Sequence, residues 1–169
     1  HPFKKTIVRL RKEIVASGLK VNLKNKGDYI TPLQLNKLID GKEDFLILDV
    51  RNDYESKIGK FRKAFASEIE TFKDFKKVPK TISKYKNKKI VTYCTGGIRC
   101  EKASAFLKEK GFNNLFQLEG GILNYVNQFP DKHFKGRCFV FDNRISIPSG
   151  KNSEEISFCE LCHTYSGRY

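Results

Sequence analysis

Cys94 stands where an apolar, β-branched run ends and two glycines begin, in "IVTYCTGGIRCEKASAFLKEKG", residues 90 to 111. A cysteine in that place is either a nucleophile held in a loop or one more buried thiol. Arg99 to Glu101 read as the start of a helix, so Thr95, Gly96, Gly97 and Ile98 must turn the chain between strand and helix. Gly96 and Gly97 permit positive φ and let backbone N–H groups crowd inward without a Cβ in the way. Amides gathered in this way, backed by a helix N-terminus, attract an anion and favour thiolate over thiol. Arg99 adds a fixed positive charge and a forked donor. Cys94 is therefore the candidate catalytic residue, and Thr95, Gly96, Gly97, Ile98 and Arg99 are its candidate active-site loop. Cys100 starts the helix and is a candidate resolving thiol, which would discharge a persulfide or sulfenate on Cys94 through a disulfide. The alternative for Cys100 is a partly buried helix cysteine that points away. The phosphate-loop pattern G-x-x-x-x-G-K-[ST] is absent, and His1, His133 and His163 fall outside the expected core, so a Cys–His dyad has no support.

The elements around the loop must hold it at a sheet edge. In "YITPLQLNKLIDG", Thr31 can cap a helix, Pro32 suits its first position and Gln34 completes a capping box. Leu35, Leu38 and Ile39 then share a face, and Gly41 is the stop. "FLILDVR", residues 45 to 51, and "KKIVTYC" are short continuous apolar runs of the kind buried on both faces of a parallel sheet. "EKASAFLKEKG" gives a helix with Ala103, Phe106 and Leu107 on one face and Gly111 at its end. "NLFQLEGG" gives a third strand and "ILNYVNQF" a closing helix before Pro130. Helices alternating with apolar strands imply an open, mostly parallel α/β sheet flanked by helices. Such sheets carry their sites at the carboxyl ends of the strands, which predicts that Asp49, Arg51, Cys94 and Glu119 converge on one edge. Arg51 would either anchor a substrate or pair with Asp49 or Glu55, and the ion pair is preferred.

"TIVRLRKEIV", residues 6 to 15, alternates with period two, the signature of a half-buried strand. It has no neighbour in sequence to pair with, so it is expected to be the last strand of a domain otherwise missing from the chain. "SGLKVNLKNKGD", residues 17 to 28, reads as a polar connector. No signal-peptide pattern opens the chain, which suggests a fragment of a longer protein rather than a secreted precursor. No apolar run is long enough to cross a bilayer, so a soluble protein with no membrane partner is expected. Five cysteines, an odd number without an export signal, favour a reducing cytoplasm over a disulfide framework. The formal net charge of +14, from 33 Lys plus Arg against 19 Asp plus Glu, suits a polyanionic partner such as nucleic acid. A lysine-rich codon bias would give the same balance.

"LDVRNDYE", residues 48 to 55, followed by "VTYCTGGIRCEKA", resembles the rhodanese domain across residues 28 to 130. That resemblance implies a cysteine that carries sulfur as a persulfide, cradled by loop amides. The Cys-x4-Arg spacing from Cys94 to Arg99 matches the six-residue rhodanese loop, whereas the related cysteine phosphatases use Cys-x5-Arg and hold phosphate. A narrower similarity rests on "PFKKTIVRLRKEIVASG", "CTGGIRCEKA", "LEGGILNY" and "GRCFVFDNRISI". Together these resemble the bacterial oxygen-dependent tRNA uridine hydroxylases, rhodanese-domain proteins that hydroxylate C5 of wobble uridine 34 and need the loop cysteine. The resemblance implies tRNA as partner, Cys94 as the essential cysteine, and Arg99 with the amides around Gly96 and Gly97 as its cradle. It also implies a three-part chain: residues 1–27 a remnant of an N-terminal ferredoxin-like domain with its linker, 28–130 the rhodanese domain, and 131–169 a C-terminal, cysteine-containing extension. Where the family often has Gly-His-Phe-Lys-Gly-Ala, this chain has "GKFRKA", residues 59 to 64, with Lys60 in place of the histidine and Lys63 in place of a glycine.

Two further clusters remain. "CELCH", residues 159 to 163, has the spacing of half a zinc site. Cys138 and His163 are poor additions to it, because His163 adjoins Cys162, so no metal is assigned within this chain. Lys73, Lys76, Lys77, Lys80, Lys84, Lys86, Lys88 and Lys89 crowd one segment, with Phe72, Phe75 and Tyr85 between them. Either these aromatics stack on unpaired bases while the lysines neutralise phosphates, or they turn into the core beneath a solvated face. No pattern for flavin, haem or a non-haem iron facial triad is present, and no cofactor or oligomeric state is assigned. The functions in view are a tRNA uridine hydroxylase, a sulfurtransferase working through a Cys94 persulfide, and a silent rhodanese module that binds RNA or protein. Retention of Cys94 argues against the last.

Overall fold

The computed structural model describes residues 8–151, 153, 156–158 and 165–167. After a 3₁₀ turn at Leu23–Asn25, β1 (Asp28–Ile30) runs into α1 (Pro32–Asp40) through the expected capping box: the Gln34 amide donates to Thr31 Oγ1, and the Thr31 amide donates to Gln34 Oε1. β2 (Phe45–Asp49) leads into α2 (Asp53–Ile58), β3 (Gly59–Phe61) and β4 (Phe65–Ala66). A 3₁₀ stretch (Phe72–Lys77), α3 (Val78–Thr81) and a further 3₁₀ turn (Ser83–Tyr85) precede β5 (Lys89–Tyr93). α4 (Ile98–Glu109), β6 (Leu115–Leu118) and α5 (Gly121–Gln128) follow, then β7 (Phe134–Phe139), β8 (Ser146–Pro148), β9 (Ile156–Phe158) and β10 (Tyr165–Gly167).

The central sheet has the order β1-β6-β5-β2-β4, and every pairing in it is parallel. Its two faces bury alternate residues of the same strands, as a two-residue side-chain period requires. Leu46, Leu48 and Ile90 face Ala103 and Leu107 of α4, together with Phe75 and Ile82. Ile47, Val91 and Tyr93 face Leu35 of α1 and Ile122 and Tyr125 of α5. The α/β architecture expected from the apolar runs is the one observed. A second sheet, β3-β7-β8, is antiparallel and ties the segment after Pro130 back to the chain just after α2. β9 pairs antiparallel with β10.

The strand expected over residues 6–15 is not formed in its described part: residues 8–15 make no ladder, and Val8, Leu10 and Ile14 are exposed. Period-two alternation becomes a strand only when a neighbour satisfies its backbone, and none of the described strands pairs with it. Residues 13–17 are instead fastened to α4 by Lys102, whose Nζ pairs with Glu13 at 3.1 Å and donates to the Val15 carbonyl at 3.0 Å. Among the described residues no helix is long and apolar enough to cross a membrane.

Candidate active site

Cys94 follows the last residue of β5 and is 2% exposed. Its Sγ accepts the Gly97 N–H at 3.1 Å, and the amides of Arg99 and Cys100 also reach the sulfur. Of the two loop glycines only Gly97 has a positive φ, +90°, which turns its amide inward and starts α4. Gly96 lies on the open side, where a Cβ would meet nothing. The cradle is therefore made by Gly97, Arg99 and Cys100, with Gly96 at its mouth.

The loop's peptides are held in that polarity from behind. In the first turn of α5, the Ile122 and Leu123 amides donate to the carbonyls of Cys94 and Thr95 at 3.0 and 3.1 Å. With the carbonyls drawn back toward α5, the following amides face the sulfur. The approach is close: Gly121 has φ +63°, and a Cβ there would lie 2.5 Å from the Cys94 oxygen and 2.6 Å from the Thr95 oxygen.

Arg99 does not reach the sulfur through its guanidinium. It forms a bidentate pair with buried Glu55 of α2, Nη1 to Oε1 at 2.5 Å and Nη2 to Oε2 at 2.7 Å. Thr95 Oγ1 donates to the same carboxylate at 3.2 Å. Through its guanidinium Arg99 thus acts on Cys94 as a fixed nearby charge, while its amide belongs to the cradle. Nothing in the sequence names Glu55 as its partner; the one local signal is Asn52-x-x-Glu55, a capping pattern, and Glu55 Oε1 does accept the Asn52 amide at 3.2 Å.

Cys100 is fully buried in the same apolar cluster as Cys94, and its thiol lies near enough to the Cys94 sulfur to favour the thiolate there. It faces its partner rather than pointing away. The donor character of the Cys100 thiol, the Arg99 charge and the Arg99 and Cys100 amides outweigh burial and push the Cys94 thiol down to about 6. Cys100, desolvated and next to the developing thiolate, is held well above the ordinary thiol range. The pair therefore consists of one sulfur anion and one proton donor.

The other expected strand-end residues separate. Asp49 and Arg51 form the preferred ion pair, wholly buried: Asp49 takes Arg51 Nε at 2.9 Å and Nη2 at 2.7 Å, and also the Tyr93 hydroxyl at 2.7 Å. Arg51 lies near the rings of Tyr93 and Phe134, on the face away from Cys94. Glu119 follows β6, but its side chain is exposed and does not join the site. In the lysine-rich segment Phe75 is buried in the core and Tyr85 packs against Phe65, so these two rings form no exposed stacking platform, while Phe72 turns inward from the lysines. Lys77, Lys88 and Lys89 pair with Asp74, Asp44 and Glu43. Lys60 is exposed on β3, and Lys63 takes φ +65°, the conformation glycine adopts most readily, at the position where the resembled family often has one. Cys138 is buried on β7, and the described residues hold no metal-binding cluster. Cys159, Cys162 and His163 lie outside the described residues.

Above Cys94 opens a cavity of about 720 Å³, with walls that include Val15, Phe72, Leu123 and Val140 and a rim that includes Ile14, Phe141 and Arg144. Its size and apolar lining are those of a small-ligand site. A buried sulfur anion at the base of such a space can act as a nucleophile or carry a sulfur or oxygen atom.

A family model described as the rhodanese-like domain matches residues 31–128. The chain belongs to the rhodanese-like domain family. Solved rhodanese-like structures share the fold. The solution structure of a rhodanese-like domain from Anabaena superposes with a TM-score of 0.54 at 21% identity, covering 78% of this chain and 92% of that one. A rhodanese-related protein from Thermoplasma volcanium gives 0.51 at 24%, covering 60% and 93%. Two curated relatives extend the likeness beyond the rhodanese-like domain. A protein of Cytophaga hutchinsonii named tRNA uridine(34) hydroxylase is 43% identical over 99% of this chain, and one of Pelagibacter ubique with the same name is 46% identical over 96%. The chain spans 54% of the length of each.

Proposed function

We propose that this rhodanese-like domain is the catalytic part of a cytoplasmic enzyme that hydroxylates C5 of wobble uridine 34 in tRNA, dependent on dioxygen and on Cys94. The observation that carries the reading is a sulfur anion at the base of an apolar cavity with room for a nucleoside, in a chain more than 40% identical to proteins named tRNA uridine(34) hydroxylase. A thiolate in that place can add to C6 of a uracil ring: the S–C6 bond forms, and the C5–C6 π electrons move to C5 and the C4 carbonyl. C5 is then the carbon that takes one atom of dioxygen, a two-electron donor reducing the other to water. Loss of the C5 proton expels the thiolate and restores the ring. Cys100, in contact with Cys94, serves as resolving thiol when Cys94 is oxidised. Residues 1–27 then belong to an N-terminal ferredoxin-like domain and its linker, 28–130 are the rhodanese unit, and 131–169 an extension.

The test is Cys94→Ser in the full-length protein, with tRNA nucleosides quantified by mass spectrometry in a deletion strain. The expected result is loss of 5-hydroxyuridine at position 34 with normal protein levels; an undiminished yield overturns the reading. The six-residue loop and the sulfur-directed amides favour one second reading, transfer of sulfane sulfur through a Cys94 persulfide. It would appear as a sulfur-containing product in place of the oxygen-containing one.

A further inference from the structure

The cavity opens between two rims of different origin. One is the segment around Ile14, 88% exposed and held in place by the bonds of Lys102 to Glu13 and Val15. The other is the turn between β7 and β8, residues 140–145. In that turn Phe141 is 61% exposed. It makes a T-shaped contact with Phe139, with centroids 5.0 Å apart at 76°, and the Arg99 guanidinium lies 5.6 Å from its centroid. An apolar ring this exposed on a soft loop would fold back onto the surface, but this turn is stiff. The Val140 amide donates to the Ile145 carbonyl at 2.8 Å and the Ile145 amide to the Asp142 carbonyl at 3.0 Å. Ile145 itself has φ +63°, a strained conformation for a β-branched residue. Strain of this kind persists where the surroundings enforce it and collects at ligand-binding positions. Arg144 is fixed in the same turn and lines the same cavity, its Nε and Nη2 on the Asp142 carboxylate at 2.9 and 2.5 Å, while its side chain stays half exposed.

We infer that this rim holds an unpaired nucleobase: the outer face of Phe141 stacks on it while Arg144 meets a neighbouring phosphate, delivering single-stranded RNA to the cavity over Cys94. The inference rests on the RNA substrate proposed above and adds the surface that binds it. A ring and a guanidinium on one short turn at the cavity mouth suit a nucleotide, which offers a flat π face and an anion together, better than they suit an apolar peptide. The opposite rim agrees in charge, since Arg9, Arg11 and Lys12 are exposed on the segment that supplies Ile14. Stacking also explains selection for a loop, because a base inside a duplex has no free face to offer.

Full-length protein would be titrated against two labelled RNAs by fluorescence anisotropy, an anticodon stem-loop and a fully paired duplex of the same length. Phe141→Ala is expected to weaken stem-loop binding about tenfold and to leave the duplex unaffected, while Phe141→Tyr binds both as the unaltered protein does. Arg144→Gln is expected to lower the slope of log affinity against log salt by about one. The ring is mostly outside the core, so the melting temperature should hold. The inference is overturned if Phe141→Ala binds the stem-loop normally, or weakens stem-loop and duplex equally, as it would if Phe141 docked against another protein surface. An unaltered Phe141→Ala titration in a protein that still makes 5-hydroxyuridine removes this rim alone. Absence of 5-hydroxyuridine with intact stem-loop selectivity removes the hydroxylase reading and leaves the rim.

Discussion

Cys94 and Cys138 are both buried thiols, 2% and 0% exposed, each set in an apolar cluster of the same domain. Their chemistry is opposite. Burial pushes Cys138 up to about 12, and the nearby Asp49 and Glu55 carboxylates push the same way against the opposing charge of Arg51. Among the described residues its thiol makes one long contact, 3.6 Å, to the Phe139 carbonyl, an acceptor that favours the protonated form. Cys94 loses as much solvent and is nevertheless brought down to about 6, because donors surround it: the Cys100 thiol, the loop amides and the charge of Arg99. Burial does not decide the state of a thiol; the sign of the groups that replace water does.

The contrast is most easily broken at Arg99. Arg99→Met leaves the Glu55 carboxylate buried without a counter-charge, which should cost roughly 3–5 kcal/mol of stability and raise the Cys94 titration, since a positive neighbour is lost. Urea denaturation measures the first effect, and the double variant Arg99→Met with Glu55→Leu should recover much of the loss. A loss too small to detect would mean that the pair is screened by solvent and does not organise the loop. A smaller effect is expected behind the loop. Gly121→Ala drives a methyl against the Cys94 and Thr95 carbonyls and should cost roughly 1–3 kcal/mol, raising the Cys94 titration while leaving Cys138 unchanged. Equal changes at both cysteines would show general loosening instead. The smallest stability change is expected at Cys100, about 1 kcal/mol for Cys100→Ala. The sharper readout there is again the Cys94 titration, which rises in Cys100→Ala and is largely kept in Cys100→Ser, where the hydroxyl still donates.

Much of this arrangement is legible in the sequence because its signals are local. Thr31-Pro32-x-Gln34 determines where α1 begins, the apolar runs around Leu46 and Val91 mark two strands of a parallel sheet, and the residues from Cys94 to Arg99 define a strand-to-helix turn. The rest depends on contacts between distant residues. Glu55 and Arg99 are separated by 44 residues, and nothing near either names the other. Gly121 reads as half of a glycine pair until α5 is seen to donate to the loop. The alternation around Leu10 is a real strand pattern without a partner in the described residues. Phe72 and Phe75, spaced among lysines, match a base-binding surface as well as a helical core face, and burial chose the core. Phe141 carries no periodic signal, because its exposure follows from a turn closed by Ile145.

The most direct measurement is the pH dependence of alkylation at Cys94 and Cys138 in the same sample, resolved by mass spectrometry of the labelled peptides. Because the folded protein holds Cys94 below the ordinary thiol value, its thiolate is populated above about pH 6 and lost below it. Its labelling should rise to half-maximum near pH 6 and, at neutral pH, exceed that of Cys138 by at least about a hundredfold. A Cys94 midpoint at or above 9.0, the ordinary value for a thiol, would contradict the account at its centre.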